Sequence, residues 1–110
     1  MKNANIFVDV DLTLVDANFK LLPGARESLA KLKDAGCHLF LWSSNGRDYA
    51  MKIAALHALT ELFEAFAAKP DIIIDDMPGT AHPAFAFDVN REPGWPEMVR
   101  DILRKHVDPR

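Results

Sequence analysis

Three apolar runs punctuate the chain, and each ends in small polar or acidic residues. The first, Ile6 to Leu14, contains Asp9-Val10-Asp11. Strand side chains alternate between faces, so an unbroken run reads as a buried strand, and its C-terminal end delivers acid groups to the crevice where open α/β sheets bind ligands. A loop over Asp16 to Lys20 follows, and Pro23-Gly24 opens a helix with Ala25, Leu29 and Leu32 on one stripe. Gly36 stands where a left-handed C-terminal cap belongs, and Lys31 and Lys33 suit the negative end of the helix dipole. Cys37 to Trp42 reads as the second strand and Ser43-Ser44-Asn45-Gly46 as its turn.

From Arg47 the spacing predicts a long helix with Met51, Ala54, Ala55, Ala58 and Leu59 on one stripe, broken near Thr60 and continuing through Leu62, Phe63 and Phe66. Ile72-Ile73-Ile74 lacks alternation, which predicts a third strand covered on both faces and ending at Asp75-Asp76. Met77-Pro78-Gly79 turns the chain, Ala84 to Val89 supplies a more peripheral fourth strand, and a last helix runs from Glu97 to His106 before a fraying tail. Alternating strands and helices predict an α/β, Rossmann-like three-layer sandwich: a mainly parallel sheet, right-handed crossovers and helices on both faces.

At 110 residues, 49% of them hydrophobic, residues 1–110 form one domain able to bury a core without disulfides or a structural metal. A net charge of −3 gives no general attraction for nucleic acid or anionic lipid. Cys37, the single cysteine, reads as a core thiol, and the four histidines and two tryptophans read as packing, rim or surface residues. The start lacks a signal peptide and no run approaches the roughly 18 apolar residues of a membrane span, so the expectation is a cytoplasmic protein with no membrane partner.

Two carboxylates on one strand end are costly to hold together unless their labour is divided or a divalent cation neutralises them. A hard cation such as Mg²⁺ takes oxygen ligands and keeps water where the protein supplies few groups. Asp75 and Asp76 are adjacent, so on a strand they point in opposite directions and cannot both be inner ligands without a bend. Each feature also has a plain reading: Asp9 and Asp11 as solvated strand-end acids, Asp75-Asp76 as turn chemistry, Ser44 or Asn45 as a helix cap.

Taken in order, Asp9-Val10-Asp11-Leu12-Thr13, Ser43, Lys69-Pro70 and Asp75-Asp76 resemble the motifs of the haloacid-dehalogenase-like (HAD) phosphohydrolases, whose first motif is Asp-x-Asp-x-Thr. The resemblance implies that Asp9 attacks phosphorus and becomes a transient aspartyl-phosphate, while Asp11 first protonates the leaving oxygen and later deprotonates water. It implies that Thr13 supports the loop and that the Ser43 hydroxyl donates to a phosphate oxygen, with the backbone N–H groups of Ser44 and Asn45 assisting. Mg²⁺ would take the Asp9 carboxylate, the Asp11 carbonyl and Asp76, with Asp75 in the outer shell. Leu12 stands where the motif often has Gly.

The family's third motif is a Lys or Arg that balances these carboxylates, and Lys69 matches it by type. Lys69 lies six positions before Asp75, whereas starting another parallel strand takes about a dozen residues. If Ile72 to Ile74 is the third strand, Lys69 enters at its far end, as much as ~20 Å below Asp75. Arg47, or Lys20, is then expected nearer the phosphate, with Arg47 closer than Lys69 to Asp9.

Caps in this family follow the first motif or separate the second and third. The spans Leu14 to Leu41 and Asn45 to Lys69 hold only a loop or a helix, so the resemblance implies a capless, Mg²⁺-dependent phosphatase acting on an unidentified phosphorylated substrate. An open site implies either a second copy of the chain as a roof or a large substrate. Phosphotransfer, hydrolysis at a macromolecular end, and a non-catalytic metal- or phosphate-binding regulatory domain stay open beside it.

Overall fold

The computed structural model describes residues 3–74, 76, 87–91 and 93–107. Strand β1 (Asn5–Asp9) is followed by helix α1 (Ala25–Asp34), strand β2 (His38–Ser43), helix α2 (Arg47–Leu56), strand β3 (Ala65–Ala68) and helix α3 (Trp95–Ile102). The strands form one parallel sheet in the order β1-β2-β3. Both crossovers therefore step the same way, and right-handed connections place α1 and α2 on the same face.

Burial along β2 alternates accordingly. Leu39 and Leu41 are 1% and 0% exposed beneath the helices, while Phe40 and Trp42 stay half-buried on the opposite face. There Phe7, 49% exposed, stacks on Phe40 with ring centroids 4.8 Å apart and tilts against Trp42 at 4.9 Å. The expected helices on both faces are thus not what the described residues form. Helix α3 packs on α1, and its Trp95, Met98, Val99 and Ile102 join Ala25, Leu29 and Leu32 in the same core. None of the described helices is long and apolar enough to cross a membrane.

The two crossover helices end by the same device with different residues. At α1, Gly36 (φ 92°) lets the Cys37 N–H reach the Leu32 carbonyl at 3.1 Å and its own N–H reach Lys33 at 3.0 Å, the double bond that closes a helix on a left-handed residue. At α2, Ala58 takes that conformation (φ 55°), with Leu59 N–H bonded to Ala54 O at 2.8 Å and Ala58 N–H to Ala55 O at 3.2 Å. Cations from α1 and its neighbourhood then collect the freed carbonyls: Arg26 donates to His57 O at 2.5 Å and Ala58 O at 3.3 Å, and Lys33 to Glu61 O at 2.7 Å.

The helix expected from Arg47, broken near Thr60 and continuing through Phe66, therefore ends at Leu56 and does not resume. A 3₁₀ turn over Thr60–Leu62 leads into β3, where Phe40 pairs with Ala65, Trp42 with Ala67 and Ser43 with Ala68. This corrects the placement of the third strand: it is Ala65–Ala68, and Ile72 to Ile74 is neither strand nor core, with Ile72 80% and Ile74 96% exposed. Alanine prefers helices and is depleted in strands, so only pairing with β2 reveals the strand.

The expected stripe of α2 also shifts, because Ala50, Ile53 and Ala54 face the core while Met51, Ala55 and Ala58 are exposed. Of the fourth strand expected over Ala84 to Val89, residues 84–86 lie outside the described residues and 87–89 are not strand. The last helix begins at Trp95, two residues before the expected start at Glu97, and passes into a π-helical turn over Leu103–Val107. Cys37 is buried as expected, which pushes its thiol pKa up.

Candidate functional site

The register of the sheet assembles the site at the C-terminal ends of the strands. Asp9 lies opposite Trp42 and Trp42 opposite Ala67, so alternation sets Asp9, Trp42 and the residue after β3, Lys69, on one face. The Lys69 N–H donates to the Ser43 carbonyl at 3.0 Å, extending the pairing by one step. From there its side chain crosses the central strand. The ammonium lies 5.9 Å from the centroid of the Trp42 ring and 3.2 Å from Asp9 Oδ1, an arrangement in which the ring quadrupole favours the cation on its way to the carboxylate.

The expectation that Arg47 lies nearer Asp9 than Lys69 is overturned. Arg47 pairs in solvent with its neighbour Asp48 at 3.4 Å, the two side chains 61% and 97% exposed. Lys69 stands at the top of a strand, not the bottom, because β3 precedes it; the spacing argument failed with the strand assignment on which it rested. Lys20, the other alternative, sits exposed on a loop whose turn is made by Asp16 Oδ1 accepting from the N–H groups of Asn18 at 2.8 Å and Lys20 at 3.0 Å. Those backbone bonds hold the Asp16 carboxyl below its usual range.

Beyond β1 the chain winds into a tight turn. The N–H groups of Leu14 and Val15 both donate to Val10 O, at 2.9 and 3.2 Å, and Leu12 is left-handed at φ 59°. That conformation costs a non-glycine residue ~1 kcal/mol, a cost that glycine would not incur. Later parts of the chain hold the turn in place: Trp95 Nε1 donates to Thr13 O and Asn90 Nδ2 to Leu12 O, each at 2.9 Å. The Thr13 hydroxyl in turn donates to Asp9 Oδ2 at 3.2 Å. Asp9 therefore has a cation on one oxygen and a hydroxyl on the other.

Asp11 is held by neutral donors. Tyr49 OH donates to Oδ1 at 2.5 Å and Asn45 Nδ2 to Oδ2 at 2.9 Å. The bond to Asp11, with burial and the charges of Asp11 and Asp9, pushes the Tyr49 pKa up to about 12, so the phenol stays protonated and donating. Tyr49 was not singled out from the sequence. The available signal was its place in the first turn of the helix that leaves the Ser43 loop.

Ser43 is 1% exposed, and its hydroxyl oxygen accepts from the Asn45 N–H at 3.0 Å, which leaves the hydroxyl proton free to donate. Ser44 and Asn45 are exposed on the turn, and α2 begins beyond them without a side-chain cap. The structure thus brings together Asp9, Asp11, Thr13, Ser43, Asn45 and Lys69. It does not bring Arg47 to them. Asp75 lies outside the described residues, and Asp76 is exposed, without a hydrogen bond or ion pair among the described residues. No group of three or more His, Cys, Asp or Glu side chains suited to a metal forms among the described residues.

The arrangement presents a carboxylate paired with a cation, and beside it a second carboxyl group on neutral donors, so the two acids have different partners. Compared with protein-family models, curated proteins and solved structures, the chain matches none.

Proposed function

We propose that this chain is a capless HAD-like phosphomonoester hydrolase that works through an aspartyl-phosphate on Asp9, with Mg²⁺ as its cation. The observation that carries this reading is the Lys69 ammonium 3.2 Å from Asp9 Oδ1, with Ser43 at the end of the central strand and Asp11, held by its own donors, two residues on from Asp9. It supplies the cation that the resemblance calls for, at the position that the spacing alone disfavoured.

In this reading an Asp9 oxygen attacks phosphorus and the bond to the leaving oxygen breaks, that oxygen taking a proton from Asp11. Water then attacks the phosphorus of the aspartyl-phosphate, Asp11 takes its proton, and phosphate leaves with Asp9 restored. Lys69 and the Ser43 hydroxyl meet the charge that grows on the equatorial oxygens. Thr13 keeps the Asp9 carboxylate from rotating away.

The donor set at the site suits a hard cation in type, since Asp9 and the Asp11 carbonyl are oxygen ligands and Mg²⁺ commonly binds one or two carboxylates while keeping waters. By the resemblance, Asp76 would complete the proposed set. When bound, the cation supplies charge neutralisation at the phosphoryl oxygens.

Mg²⁺-dependent release of phosphate from an aryl phosphate and from a panel of phosphorylated metabolites tests the reading. The wild type is expected to turn over, and Asp9→Asn to fall by at least about 10³-fold, the scale of losing a nucleophile in a cooperative site. A folded Asp9→Asn protein with wild-type rates, or a wild type inert on the whole panel, would overturn it.

A further inference from the structure

Resting on that reading, we propose that Tyr49 is a positioning residue for Asp11, fixing the carboxylate toward the leaving oxygen, while Asn45 is the contact that yields when substrate enters. Both Asp11 oxygens already carry a donor, Tyr49 OH on Oδ1 and Asn45 Nδ2 on Oδ2. A leaving oxygen needs one of them within hydrogen-bond reach. Each carboxylate oxygen offers two lone-pair sites, so the leaving oxygen approaches most easily on the side whose present donor is more loosely held.

The two donors differ in how firmly they are held. Tyr49 sits in the first turn of α2, partly buried, on a helix anchored through Ala50, Ile53 and Ala54 and closed at its far end by the Ala58 turn. Asn45 sits on an exposed turn between β2 and α2. Its backbone N–H donates to the Ser43 hydroxyl oxygen at 3.0 Å, so the side-chain amide, on leaving Asp11, stays on the same turn and can donate to the incoming phosphoryl group instead. Oδ2 is thus the oxygen that serves the substrate, and Oδ1 stays on the phenol.

Among the described residues no other group restrains the Asp11 side chain: the Thr13 hydroxyl and the Lys69 ammonium both serve Asp9. It also lies next to the left-handed Leu12 in a turn outside the strand ladder. Without Tyr49 the carboxyl group can turn about its own side-chain bonds, and a misplacement of about 1 Å costs roughly 10²-fold where proton transfer limits the step.

The test compares wild type, Tyr49→Phe and Asn45→Ala, each as the full chain with Mg²⁺, on aryl and alkyl phosphates graded by leaving-group acidity. The readout is kcat/KM, which covers steps up to formation of the aspartyl-phosphate. Tyr49→Phe keeps the ring and is expected to lose only a few-fold on nitrophenyl phosphate but about 10²-fold on alkyl phosphates, whose leaving oxygens depend on the acid. Asn45→Ala is expected to raise KM across the series and leave its slope unchanged.

A loss in Tyr49→Phe that is uniform across leaving groups, or no loss, would overturn the role of Tyr49 while leaving the phosphatase reading standing. So would a slope steepened as much by Asn45→Ala. A wild type inert on every member overturns both together.

Discussion

Replacing Lys69 by Met separates what the cation does for folding from what it does for chemistry. Met keeps the apolar stem over Trp42 and removes only the charge. At 3.2 Å from Asp9 Oδ1 the bare Coulomb attraction ranges from about 1 kcal/mol in water to about 5 kcal/mol at an effective dielectric constant near 20. The side chains are 38% and 33% exposed, so solvent screening and the entropy of holding a long side chain reduce the net stabilisation to about 1 kcal/mol or less.

In the proposed reaction the same ammonium would meet transition-state charge absent from the unliganded site, and removing one such donor costs about 10²- to 10³-fold, or roughly 3–4 kcal/mol. Lys69→Met is therefore expected to unfold in urea within about 1 kcal/mol of wild type while losing at least about 10²-fold in kcat/KM for Mg²⁺-dependent phosphate release. Arg47→Ala is expected to stay within about threefold of wild type, since among the described residues Arg47 pairs only with exposed Asp48. If Lys69→Met keeps more than a tenth of wild-type efficiency, or Arg47→Ala loses more than Lys69→Met, the assignment of the phosphate-site cation is refuted.

Two glycine exchanges test the backbone account with opposite signs. In Gly24→Ala a Cβ would meet Pro96 Cγ at 2.8 Å from a residue at φ 79°, so urea melts are expected to show a loss of about 2 kcal/mol or more as α1 and α3 separate. Ala58→Gly relieves a left-handed alanine at φ 55° on an exposed corner and is expected to stabilise by about 1 kcal/mol after the extra unfolded-state entropy of glycine; a destabilised variant would show that the turn does not limit α2.

The ends of β1 and β2 and the whole of α1 were legible in the sequence because their punctuation is chemical. Gly36 is a left-handed stop that side chains rarely replace, Pro23-Gly24 marks the entry, and Ala25, Leu29 and Leu32 are 0%, 0% and 1% exposed as their spacing implies. The motif Asp9-Val10-Asp11-Leu12-Thr13 likewise announced two acids at a strand end, and Ser43 ends the next strand.

Beyond a break near Thr60, the sequence did not announce that α2 ends for good at Leu56, because that end is made by an alanine in a glycine's conformation and by carbonyls that accept from Arg26 and Lys33, about thirty positions away. Continuing the helix past that stop to Phe66 hid the strand Ala65–Ala68, put the third strand on the β-branched Ile72 to Ile74, and sent Lys69 to the wrong end of the sheet.

Tertiary structure alone decided that β3 pairs with β2, because a strand's register is a property of its partner and four residues rich in alanine carry no periodic signal of their own. With that pairing, Lys69 crosses Trp42 to Asp9, and Tyr49 reaches Asp11 from a helix thirty-eight positions on. The sequence by itself determined which acids stand at the strand ends. Which partner each acid receives depended on distances between segments far apart in the chain, and those exist only once the strands are paired.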